Sequence, residues 1–303
     1  MSHNFVITTD MTSDMPEGFF AEHGVDVAFM PFAIDGTDVD SRNLPTYHEF
    51  YDKLRAGAIP NTSQTSAYEA LQIFENHFRD GKDVLHISFS SGMSGSYENV
   101  LNAARELMRK YRDRRILVLD SLSGCGGEGL MVYYALKMRE EGKSLEEVFE
   151  WLEANRMNFH HFFIVEDLGT LYRGGRLSKL EATVGTILGI KPLLELNHYG
   201  KIMPLLKVMG KKKALSAIAE QVVKYCKPEK NDFILVEHGD DLEGAKVLAQ
   251  KIKESLPDIE IRFCNVNYLV GSHAGPGALA VFFFGAERPR FINVPIGNLK
   301  TQK

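Results

Sequence analysis

The order of apolar and polar positions divides the chain into two textures. Through the first half, short apolar runs alternate with amphipathic stretches, the pattern of parallel strands handing over to flanking helices. Phe5 to Thr9, Val25 to Ile34, Val84 to Phe89 and Ile116 to Leu119 are predicted strands. Helices are predicted where a cap precedes an apolar stripe. Ser66-Ala67-Tyr68-Glu69 has capping-box spacing, in which the Ser hydroxyl accepts from a first-turn N–H and Glu reaches back, and predicts a helix from about Ala67 to Arg79. After Ser96, Val100, Leu101, Ala104, Leu107, Met108 and Tyr111 fall on one helical face. Ser144-Leu145-Glu146-Glu147 repeats the cap before Val148, Phe149 and Leu152.

Around His160 the texture changes. Phe162 to Val165 starts a new strand, and Pro192 to Leu196, the turn Asn197-His198-Tyr199-Gly200 and Lys201 to Leu205 predict a hairpin, hence antiparallel pairing. Helices are predicted over Ala214 to Tyr225 and Leu242 to Ser255, and strands over Phe233 to Val236, Ile259 to Cys264 and Ala278 to Phe284. The expected architecture is two-domain α/β. Residues 1–158 form a largely parallel sheet flanked by helices, and residues 159–303 an α+β domain with antiparallel strands.

Composition narrows the function classes. With 303 residues and 44% hydrophobic content the chain can bury a sizeable core. A net charge of −5 lacks the excess of Lys and Arg that replaces phosphate counterions, so no general nucleic-acid binding is expected. Lys211-Lys212-Lys213 is a local exception, read as a solvated helix start. Cys125, Cys226 and Cys264 are odd in number and far apart, without the spacing of a disulfide framework or structural zinc site. No signal-peptide pattern and no membrane-length apolar run occurs, so a cytoplasmic protein without membrane insertion is expected.

The candidate chemistry lies in four loops at strand-to-helix junctions: Asn61 to Ser66, Ser88 to Ser96, Leu171-Tyr172-Arg173-Gly174-Gly175-Arg176, and Gly271-Ser272-His273-Ala274-Gly275-Pro276-Gly277. Hydroxyls, glycine N–H groups and guanidinium groups are donors suited to a small anion, and helix N-termini add a partial positive charge. Each loop also has a plainer reading. Ser and Thr are preferred helix caps, arginines in turns are often surface cations, and a lone His is usually structural.

These loops resemble those of the DegV family, bacterial proteins that bind one long-chain fatty acid. Ile7 to Pro16, Val118-Leu119-Asp120-Ser121 and Gly126-Gly127-Glu128-Gly129 are similar to further family motifs, and the likeness runs from about residue 5 to 285. The resemblance implies that Thr62 and Ser94 hold the fatty-acid carboxylate, with Ser63, Gly95, His273 and Arg176 beside it and Arg173 and Ser96 as outer candidates. It also implies a substrate-presenting subunit that hands its ligand to a separate ATP-dependent fatty acid kinase, without a cofactor or catalysis of its own. Thr65 stands where the family commonly has Pro, which predicts a less rigid loop. Because each buried CH₂ contributes about 0.8 kcal/mol, a chain of ~16 carbons gains on the order of 12 kcal/mol before association costs. The tail would set affinity and the clasp orientation.

The main enzyme alternative is a serine hydrolase using Ser94 and His273 with Asp10 or Asp120. The segment Gly92-Met93-Ser94-Gly95-Ser96 departs from a nucleophile elbow, having Ser where the last Gly belongs. Gly124 to Gly129 is a weak dinucleotide fingerprint without the acidic residue that should end a later strand, and no Gly-Lys-Ser/Thr loop occurs. Glu237-His238-Gly239-Asp240-Asp241 and His160-His161 match no common metal-ligand spacing and are expected to serve as strand ends and helix starts.

Overall fold

The computed structural model describes residues 5–177 and 190–289. The first half comprises β1 (Phe5–Asp10), α1 (Phe19–Glu22), β2 (Asp26–Ala28), β3 (Phe32–Ile34), β4 (Thr37–Asp38), α2 (Tyr47–Arg55), β5 (Pro60–Thr62), α3 (Ala67–Arg79), β6 (Asp83–Ser88), α4 (Ser96–Lys110), β7 (Ile116–Asp120), α5 (Gly126–Glu140) and α6 (Leu145–Asn155). There follow β8 (Phe159–Ile164), α7 (Leu168–Arg173), β9 (Ile190–Leu196), β10 (Ile202–Met209), α8 (Lys211–Tyr225), β11 (Ile234–His238), α9 (Leu242–Lys253), β12 (Ile261–Asn265), α10 (Tyr268–Ala274) and β13 (Leu279–Phe284).

Strands β2-β1-β6-β7 pair in parallel, as the alternation of apolar runs and helices requires. A second sheet, β10-β9-β8-β13-β11-β12, is antiparallel apart from the β11–β12 pair. The fold class is therefore the mixed α/β arrangement expected, with the hairpin β9–β10 in place. Helices α3 and α4 cover one face of the parallel sheet through Phe74, Phe78, Val100 and Leu107. Helices α8 and α9 cover the outer face of the second sheet through Leu215, Ile218, Leu248 and Ile252.

Between the sheets lies α5, apolar around most of its circumference as a doubly covered helix must be. Leu130, Met131, Val132 and Leu136 share one core with Ile7 and Leu85 of the first sheet and Leu235 and Phe282 of the second.

Three expectations are corrected. Val25 to Ile34 is not one strand: the chain breaks at Met30-Pro31, so β2 joins the parallel sheet while β3 leaves to form a small antiparallel sheet, β4-β3-β5. Proline has no N–H to continue a ladder. At Ser66 only half of the capping box forms, its hydroxyl accepting from Glu69 N–H at 3.1 Å, whereas the box at Ser144 is complete. Lys211 begins α8 but is not merely solvated, since it bridges Asp241 at 2.7 Å and Glu166 at 3.1 Å.

Candidate functional site

The loops after β1, β6 and β7 gather at the carboxyl edge of the parallel sheet, where open α/β sheets collect ligands. Fully buried Asp10, the last residue of β1, organises them. Its carboxylate accepts from Thr65 Oγ1 at 2.8 Å, Ser88 Oγ at 2.7 Å and Phe89 N–H at 2.9 Å, with His86 3.6 Å away. Burial alone would raise its pKa, but these donors outweigh it and hold the carboxyl below the usual range. Thr65 thereby ties its loop to the end of β1. Its N–H, which a proline would lack, donates to Ser96 Oγ at 3.1 Å.

Thr62 ends β5, the edge strand pairing with Phe32–Ile34, and its Oγ1 lies 2.9 Å from His273 Nε2. His273 is not in a glycine loop, as the sequence suggested, but in α10, whose N-cap Asn267 accepts from Val270 N–H at 2.8 Å. Gly275 follows with φ of 77° and ends the helix. The imidazole packs against the Gly174 backbone so closely that a Cβ there would collide with Nδ1. Burial, then the Arg176 charge, lower the His273 pKa to about 4, so the ring is neutral near pH 7.

Ser94 lies just before α4. Its Oγ receives the Ser96 N–H at 3.2 Å and lies 2.9 Å from Ser96 Oγ. Gly95 caps α4 and rests against the Gln64 side chain, which Asn99 holds at 3.1 Å. Arg176 follows α7, its guanidinium donating to Met93 O at 3.2 Å and Gly174 O at 2.5 Å. Its desolvation lowers its pKa. Arg173 ends α7, exposed, 3.4 Å from Asp167.

Thr62, Ser63, Ser94, Arg176 and His273 line one cavity. Phe89, Met93, Leu171, Ile202 and Val270 also line a second, adjoining cavity, walled further by Phe163, Val266, Ala278, Leu279 and Phe282. The polar groups at this inner slot are few: the buried His161 imidazole, hydrogen-bonded to Ser123, and the Cys125 thiol. On the other side, Thr62, Arg176 and His273 also border an open cleft with Arg173, Thr170 and Pro276. The clasp thus stands between solvent and an apolar slot. Gly95 and Ser96 border neither cavity, and Ser96 acts behind Ser94 and Thr65.

Sequence reasoning missed the buttress of Asp10, Gln64 and Asn99, and it did not assign the slot wall. Paired polar residues next to the hydroxyl loops were the only available signal, and wall residues are chemically the same as core.

The hydrolase triad is not assembled. Ser94 is engaged by Ser96, His273 by Thr62, and Asp120 by Ser91 and the Leu122 N–H, and no carboxylate among the described residues hydrogen-bonds His273. The glycines opening α5 are buried between the sheets, as tight packing requires. His160 and His161 project to opposite faces of β8, the first donating from Nε2 to Ala286 O, 2.6 Å away, the second at the slot. Glu237 stands at the end of β11, fully buried, and Asp241 caps α9, the strand-end and helix-start roles expected of this segment.

Comparison with known proteins agrees with this geometry. A family model described as an uncharacterised protein of the DegV family matches residues 4–286. The DegV domain-containing protein CPE0026 of Clostridium perfringens is 37% identical over 285 residues, 93% of this chain and 97% of that one. Among solved structures, DegV from Bacillus subtilis, described as a fatty acid binding protein, superposes with a TM-score of 0.81 at 26% identity, covering 94% of this chain and 100% of that one. The fatty acid binding DegV family protein SAG1342 of Streptococcus agalactiae gives 0.81 at 28%, over 94% and 99%. In sequence and in fold, over nearly its whole length, this chain belongs to the DegV family.

Proposed function

We propose that this protein binds one long-chain fatty acid, its tail in the slot behind Val270 and its carboxylate at Thr62 and Ser94. The observation that carries the reading is that the hydroxyl-lined cavity abuts the apolar one, the two sharing Phe89, Met93, Leu171, Ile202 and Val270 as wall. Concave sites with apolar walls and a few convergent donors are the usual form of a small-ligand site.

Each hydroxyl is turned outward by a donor behind it. With the proton on His273 Nε2, the imidazole donates to Thr62 Oγ1, and the Thr62 O–H is left to donate to an anion. Ser94 Oγ accepts the Ser96 N–H and, with the Ser96 hydroxyl donating to it as well, keeps its own proton for the same anion. Ser63 and Arg176 complete the set, and the open cleft with Arg173 is where a phosphoryl donor would reach the carboxylate. On this reading the protein is a cytoplasmic carrier that presents its ligand to a separate fatty acid kinase, with no cofactor and no chemistry of its own. Relatives of the same fold support the lipid part of the reading: DegV proteins from Bacillus subtilis and Thermus thermophilus are described as binding fatty acid.

Reconstitution with a fatty acid kinase catalytic subunit tests the presentation step. Acyl phosphate should form only when this protein is added, and turnover should fall for Arg173→Ala with fatty-acid binding retained. Acyl phosphate formation that is indifferent to this protein would remove the carrier role.

A further inference from the structure

Behind the wall of the slot, Asp14, Cys125 and Glu237 bring two carboxylates and a thiol within 4.8 Å of one another, all buried. They come from three parts of the fold: the turn after β1, the N-cap of α5 and the middle sheet strand β11. Glu237 is wholly excluded from solvent, and neither of its carboxylate oxygens has a hydrogen-bond partner. The Cys125 and Cys264 thiols and the Gly126 N–H approach it, but none in hydrogen-bond geometry. A fully buried carboxylate with both oxygens unsatisfied is costly, and one beside a second buried carboxylate more so. Retained protons or a bound cation must neutralise the pair.

We propose that Asp14, Cys125 and Glu237 hold a divalent cation of zinc type as a structural site behind the slot. A thiolate with two carboxylates suits a borderline-soft ion, which such ligands hold at about 2.0–2.3 Å. Asp14 is already aimed: Asn267 donates to its Oδ2 from both its backbone N–H, at 3.2 Å, and its side-chain Nδ2, at 2.9 Å. Such outer hydrogen bonds fix ligand carboxylates in metal sites. Binding releases the thiol proton and any proton the carboxyls share, and because the site is closed the ion enters as the chain folds. Since Asn267 caps the helix that carries His273, the ion ties that helix to α5 and to both sheets.

The exposed group His48, Asp52 and Asp240 offers no such case, because Arg55 already pairs with its carboxylates. It serves as the control. The wild-type chain, expressed in medium with Co²⁺ in place of Zn²⁺ and purified without a metal-affinity step, should hold about one Co²⁺ with a sulfur-to-cobalt charge-transfer band in the near ultraviolet. Glu237→Gln and Cys125→Ser should each cut the content roughly tenfold or more, while His48→Ala leaves it unchanged. The wild-type spectrum stands even where a variant fails to fold. A metal-free wild-type chain, a bound ion without the sulfur band, or binding abolished by His48→Ala would each overturn the proposal.

Discussion

His273 Nε2 lies 2.9 Å from Thr62 Oγ1, joining a helix of the second half of the chain to an edge strand of the first. The bond crosses the mouth of the slot. It sets which way the hydroxyl proton points, so two residues remote in sequence should act on the ligand as one unit.

Thr62→Ala removes the donor and His273→Ala removes its orientation. A hydrogen bond to a charged group contributes about 1.5–3 kcal/mol, so each change should weaken fatty-acid binding roughly tenfold. The double variant should lose much less than the sum, as expected for residues acting through each other. Displacement of a fluorescent fatty acid measures all three. Additive losses would separate the two residues.

Because burial holds the His273 pKa near 4, the ring does not change charge between pH 6 and 8. Binding should be flat across that range. The stability consequence has a definite sign. Between about pH 4 and 6.5 the unfolded chain takes up a proton that the folded ring refuses, so this residue costs stability as pH falls through that window. His273→Gln should flatten that part of the curve, read by urea denaturation at pH 4.5, 5.5 and 7.

Glu195 gives the opposite slope. It is buried in β9, and burial raises its pKa to about 7 against the opposing charges of Arg288 and Lys224. From about pH 4.5 to 7 the folded chain keeps a proton that the unfolded chain releases, so stability falls as pH rises through that range. The cost is on the order of 3 kcal/mol. Glu195→Gln should remove the fall, and an unchanged slope in urea denaturation would place the titration elsewhere.

Ala278 is buried on the wall of the slot. Ala278→Phe fills space the tail needs, so lipid extracted from the purified variant should shift to shorter acyl chains or vanish. Overpacking itself costs about 1–3 kcal/mol, which a thermal melt separates from the loss of ligand.

The elements with local causes were legible in the sequence. Helix Ala67–Arg79 has its cap and its stripe within one stretch, and the loop hydroxyls announced themselves by composition. Thr62 was seen as a candidate, but not its strand: Pro60-Asn61-Thr62 has no alternation and becomes β only by pairing with Phe32–Ile34. Helix Tyr268–Ala274 was hidden because Gly271, Gly275 and Gly277 give it the look of a loop, while its start depends on the Asn267 cap. Glu237 was legible as a strand end, but nothing in a linear pattern shows that it is buried or that Asp14 and Cys125 come to meet it.

Native mass spectrometry of the purified protein tests the central claim most directly. The account expects the chain mass plus that of one C16 to C18 fatty acid, lost or sharply reduced when Thr62→Ala and Ser94→Ala are combined. A wild-type chain that stays free of lipid after incubation with palmitate would contradict it.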